Sequence, residues 1–217
     1  MLPAAVAALL AGAAVATAGA QSRPPLDGDQ LLARAGAAPG LQSYSVPVHF
    51  DVHMHKPIGI RTRADGTAYF RAPAQAALAI TRATGIVGHF FRGDYKLDVV
   101  PQAWAANYHV VAVSQAVVAG IPVFVLRALP RGAPGDLTAV IFTVSTATLK
   151  PVAAEWQYGS ASSIRVAYVN GRVGTYTLPL QATIAVDLPR YRLDAHATYG
   201  SYALNAPVPD SIFARAK

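Results

Sequence analysis

The chain has no cysteine among its 217 residues. That excludes disulfides, iron–sulfur clusters, thiolate zinc sites and thiol catalysis. Charge is also scarce, at 13% of residues, and Glu155 is the only glutamate. Glycosidase chemistry by paired carboxylates has little to build on. No Gly-x-Ser-x-Gly elbow occurs. Gly85-Ile86-Val87-Gly88 lacks the Lys and the strand–helix setting of a phosphate loop. No run of Lys or Arg appears despite a net charge of +7. The scattered basic residues therefore argue against a nucleic-acid partner and for loose attraction to an anionic surface. Nothing in this inventory specifies an enzyme, and no cofactor is expected.

Hydrophobic residues make up 53% of the chain. This is ample for a core and richer than an ordinary soluble domain, so some apolar surface is expected to serve a ligand or a membrane. Residues 3–18 are almost wholly apolar, and Ala18-Gly19-Ala20 fits a small-x-small cleavage site. We read residues 1–20 as a signal peptide, which implies export to the periplasm or cell envelope. An uncleaved anchor is the alternative. No cysteine follows to take a lipid anchor.

One domain is expected over 27–217. Asp27 to Ala38 predicts a short helix, capped by Asp27 or Asp29 and ended by Pro39-Gly40. Strands dominate after that. Tyr44, Val46, Val48, Phe50, Val52 and Met54 alternate with Ser45, Pro47, His49, Asp51, His53 and His55. This period of two predicts a half-buried strand with one apolar and one polar face. Asp65-Gly66 and Asn170-Gly171 each predict a two-residue hairpin turn. Residues 84–106, with bunched glycines and aromatics, read as loop with a helical turn rather than sheet. The whole predicts a mainly β protein: about 10–11 short strands in a strongly curved antiparallel sheet, with an N-terminal helix and a short helical or loop lid.

His53 and His55 lie about 7 Å apart on one strand face and form a weak metal option, wanting further ligands. Asp194 and His196, at i and i+2 near the other end of the chain, join them if the ends meet. The competing reading is a solvated outer face, and no metal is expected.

Several segments resemble the periplasmic lipoprotein carriers, the LolA/LolB-like superfamily. They are Tyr44-Ser-Val on the first long strand, Gly66 to Pro73, the Tyr95 and Trp104 region, Leu126 to Pro130, Val144 to Val152 with Trp156-Gln-Tyr158, and Tyr202 to Phe213. The resemblance implies a half-barrel lidded over an apolar cavity that holds acyl chains of lipids or lipoproteins without catalysis, in transport for outer membrane biogenesis. It also implies a lid-holding arginine on an early strand, for which Arg61, Arg63 and Arg71 are the candidates. The cavity residues expected are Val46, Val48, Phe50, Val52, Met54, Phe70, Leu78, Ile80, Phe90, Phe91, Trp104, Phe124, Leu126, Phe142 and Trp156. The partners expected are acyl chains and a membrane or envelope protein, with the chain itself a monomer. The alternatives are an envelope-stress sensor or interaction module on the same fold, and a metal-binding β-barrel.

Overall fold

A computed structural model describes residues 27–57, 59–84, 93–96, 99–132 and 135–216. The expected signal peptide (1–20) and residues 85–92 and 97–98 of the glycine-aromatic segment, including Phe90 and Phe91, lie outside the described residues.

Helix α1 (Gly28–Gly36) starts where Asp27 accepts backbone N–H bonds from Asp29 and Gln30 at 3.0 and 3.2 Å. It buries Leu31, Leu32 and Ala35 along one stripe. Twelve strands follow: β1 (Ser43–Lys56), β2 (Ile60–Arg71), β3 (Gln75–Ala83), β4 (Gly93–Lys96), β5 (Tyr108–Val118), β6 (Ile121–Pro130), β7 (Leu137–Ser145), β8 (Pro151–Tyr158), β9 (Ser162–Val173), β10 (Tyr176–Asp187), β11 (Arg192–Tyr199) and β12 (Ala203–Leu204). A 3-10 turn (Pro101–Ala103) and helix α2 (Trp104–Asn107) precede β5, and α3 (Asp210–Arg215) ends the described chain.

All strands among the described residues belong to one antiparallel sheet in the order β4-β3-β2-β1-β11-β10-β9-β8-β7-β6-β5, with β12 beside the start of β1. The first long strand thus pairs with one of the last, with Val52 opposite Ala195. The sheet is a meander joined through its own ends and left open between β4 and β5. It is a half-barrel, not a closed barrel.

Three sequence expectations are corrected. Asp65-Gly66 does not turn the chain: β2 runs straight through it, and Thr81 of β3 bulges opposite. The glycine is needed because a Cβ there would stand 2.6 Å from the Ala79 carbonyl oxygen. Asn170-Gly171 likewise lies inside β9, opposite a bulge at Leu180 of β10, whose side chain fills the space a Cβ on Gly171 would need. Glycine at a bulge and glycine at a turn leave the same dipeptide in the sequence. Finally, Gly93–Lys96 is a strand paired with β3, inside the stretch read as non-sheet.

The core lies on the inner face. Val46 and Trp104 have 0% exposure, as do Leu126, Phe142 and Leu178.

Candidate functional site

The inner face is built rung by rung. In β1 the side chains of Tyr44, Val46, Val48, Phe50, Val52 and Met54 point inward, as the alternation predicts. Register then fixes their neighbours. One rung runs Val166, Ile184, Ala195, Val52, Thr62 across β9, β10, β11, β1 and β2. The next runs Ile164, Val186, Leu193, Met54, Ile60 over the same strands. Nine of these ten side chains are apolar, the exception being Thr62, whose hydroxyl donates to the Thr84 carbonyl.

This face has two halves. At the β1 start it is packed shut. α1 and α2 press on β5, and the 3-10 turn packs against both helices, so closely that a side chain on Gly36 would strike the Pro101 carbonyl. Asp29 fixes α1 there: one carboxylate oxygen accepts the Val110 N–H at 2.7 Å and the other pairs with Arg131 at 3.0 Å. Lys150 donates to the Ala37 carbonyl at 2.8 Å, and burial lowers its pKa. Trp104 of α2 lies tilted against Phe142 with ring centres 4.3 Å apart, and Phe142 meets Tyr108 and Trp156 edge-on. The Trp156 indole N–H donates to the Tyr108 hydroxyl at 2.9 Å. Tyr44 stacks on Phe70 and meets Tyr202. Burial, with Tyr199 contributing, raises Tyr44 far above the usual phenol range. Burial likewise pushes Tyr199 up to about 12. The half beneath the helices is therefore filled by packed side chains.

At the other half, where β1 ends, Phe50, Val52, Ile60, Ile164, Ile184, Val186 and Leu193 are only half-buried. This partly exposed apolar wall is the candidate site. Of the expected cavity residues, Phe50 and Val52 belong to it, and Met54 adjoins it with 6% exposure. Ile80 and Phe124 are half-buried elsewhere on the inner face. Val46, Val48, Phe70, Leu78, Trp104, Leu126, Phe142 and Trp156 are in the packed core. Ile164, Ile184, Val186 and Leu193 were absent from the sequence expectation. Their strands alternate visibly, but only the β1–β11 pairing shows that they share a wall with Phe50.

The outer face carries the polar half of the alternation. His53 stands opposite Arg61 on one side and Asp194 on the other, and Asp51 stands between Arg63 and His196. The chain ends do therefore bring Asp194 and His196 to the first strand. His49 bonds Asp65 and His55 bonds Asp194, both at 2.7 Å, and Arg63 pairs with Asp51 at 3.1 Å. His53 and His55 lie ring against ring, centres 4.2 Å apart. Among the described residues no group of three His, Asp or Glu could hold a metal ion. An open groove of about 700 Å³ crosses this polar face, over β2, β1, β11 and β10. Arg61, Arg63 and Arg71 all point outward; Arg71 pairs with Asp210 and lies 4.8 Å from the Phe213 ring centre. None of the three candidates for a lid-holding arginine reaches the inner face, because odd positions of β2 face out. No helix among the described residues is long and apolar enough to cross a membrane.

No family model matches the sequence, and no curated protein matches it. Solved structures match its fold. A LolA superfamily protein from Nitrosomonas europaea superposes with TM-score 0.63 at 14% identity, over 87% of this chain and 97% of that one. An outer membrane lipoprotein-sorting protein domain from Vibrio parahaemolyticus gives 0.58 at 8%, over 85% and 93%. A DUF1329 family protein from Desulfovibrio piger gives 0.57 at 10%, over 86% and 95%. At such identities the likeness is one of fold: the chain has the LolA-like fold.

Proposed function

We propose that the protein is an exported, non-catalytic carrier of the lipoprotein-sorting type, which holds an acyl chain of a lipid or lipoprotein on the inner face of its half-barrel. The observation that carries this is the half-buried wall of Phe50, Val52, Ile60, Ile164, Ile184, Val186 and Leu193. It continues the packed core without a charged side chain. Each methylene buried there is worth about 0.8 kcal/mol, so a chain of several carbons binds without any polar contact. The fold neighbours support the reading, since two of them are named for the LolA superfamily and for lipoprotein sorting. The polar outer face is then the solvated side. Native mass spectrometry of protein purified without delipidation tests the proposal. A lipid adduct that organic extraction removes is expected. Bare protein that takes up no added fatty acid contradicts it.

A further inference from the structure

The half-barrel has two lips, and they differ. β4 is four residues long and is braced by α3, which Arg71–Asp210 and Arg215–Asp94 pairs hold against β3 and β4. β5 is eleven residues long and, among the described residues, is covered only toward its start, where Asp29 takes the Val110 N–H and Gly28 stands close to Val110 and Val113. Beyond a bulge at Val111 the strand runs regularly from Ala112 to Val118, and an open groove of about 500 Å³ lies along its Val110–Gln115 part, beside Gly28. Val117 is 69% exposed. A free edge of this kind is a template for another strand, and proteins ordinarily blunt it with Lys or Pro. This one has neither. From Val99 to Leu126 the chain carries no Asp, Glu, Lys or Arg.

The edge also matches itself. Ala119 and Gly120, both at positive φ, form the two-residue turn to β6, and Val118 pairs with Ile121 across it. The closing pair of such a hairpin exchanges both hydrogen bonds inward, so Val117, Gln115 and Val113 turn their N–H and C=O groups outward. We propose that a second copy of this chain docks here, β5 against β5, antiparallel about a two-fold axis through Gln115. Gln115 then faces its own mate, Val113 faces Val117 in both directions, and Ser114 faces Ala116. Valine meets valine at two of these positions, glutamine meets glutamine at the centre, and no like charges oppose each other. For two molecules of net charge +7, this charge-free window is where close approach costs least. The contact is isologous and closes at two copies. It replaces the expectation of a monomer and is independent of the lipid reading.

The absence of native cysteine makes the test clean. In the proposed pairing the two Gln115 Cα atoms stand about 5.5 Å apart, inside the range a disulfide spans. Gln115→Cys should therefore crosslink to itself under mild oxidation, whereas Thr198→Cys, exposed on the outer face of β11, should not. Light scattering of the unmodified full chain should give a dimer mass at about 100 µM, where a micromolar Kd leaves mostly dimer. Val117→Lys, at a position already exposed, should give a folded monomer. A monomer mass for the unmodified chain overturns the proposal. So does a dimer that Val117→Lys leaves intact, or crosslinking of Gln115→Cys no faster than of Thr198→Cys.

Discussion

Trp104 and Phe142 lie ring against ring, centres 4.3 Å apart, with neither exposed to solvent. One comes from the four-residue helix α2 and the other from strand β7, so this contact joins the helical layer to the sheet. Phe142→Ala removes it together with the edge contacts to Tyr108 and Trp156. A loss of about 3–5 kcal/mol is expected, read as a lower midpoint in chemical denaturation. A loss below about 1 kcal/mol would show that α2 does not sit in the core.

Asp29 gives a finer test of how the lid is held. Its bond to the Val110 N–H is partly buried, while its pair with Arg131 is about half exposed. Exposed pairs contribute little, and an unsatisfied backbone donor costs more. Asp29→Asn keeps an oxygen acceptor and should be nearly neutral. Asp29→Ala should lose about 1 kcal/mol, and amide exchange should quicken at Val110. Equal losses in the two variants would contradict this assignment.

Gly66 and Gly171 stand where a bulged neighbour crosses at short range. Gly66→Val forces a Cβ onto the Ala79 carbonyl oxygen and should destabilise by about 1–3 kcal/mol. Gly132→Ala, with nothing within 4 Å of an added Cβ, should change stability by less than about 0.5 kcal/mol. Equal melting temperatures for the two would count against the bulge.

The buried tyrosines predict an alkaline limit. Burial raises Tyr44, Tyr168, Tyr199 and Tyr202 above the ordinary value of 10.0, Tyr199 to about 12. A phenol whose pKa is raised by folding holds its proton longer in the native state. The unfolded state therefore binds fewer protons above pH 10, and stability falls with rising pH. The contribution is complete below pH 10 and is lost as pH climbs through 10 toward 12. Tyrosinate absorbance from these four side chains should appear together with loss of the far-ultraviolet sheet signal. Their full ionisation in a still-folded protein would contradict the close packing of the half of the inner face beneath the helices.

Much of this was legible in the sequence, for identifiable reasons. The alternation from Tyr44 to His55 is a local property, and the inward and outward faces of β1 follow it residue by residue. Asp27 capping α1 is local too. What escaped is non-local. Asp65-Gly66 and Asn170-Gly171 look like turns until the neighbouring strand supplies Thr81 and Leu180 as bulges. The arginine candidates fail for the same reason: odd and even positions of β2 acquire their meaning only when β1 fixes which side is inside. The candidate wall shifted from the strand centres to the β1 end because α1 and Trp104 fill the other half. No periodicity reports that filling. Ile184 and Leu193 became neighbours of Val52 and Met54 only through the pairing of β1 with β11, two strands far apart along the chain.

The central claim is that the half-buried wall takes an acyl chain. The direct measurement is titration with an environment-sensitive fluorescent fatty acid, comparing the unmodified chain with Val52→Asp and Ile184→Asp. Both positions are half-buried, so the variants should keep their sheet signal and fold. Saturable uptake is expected for the unmodified chain. An ionised carboxylate placed on the wall should weaken it by about tenfold or more, equal to about 1.4 kcal/mol. No uptake by the unmodified chain, or uptake unchanged in both variants, would contradict the account.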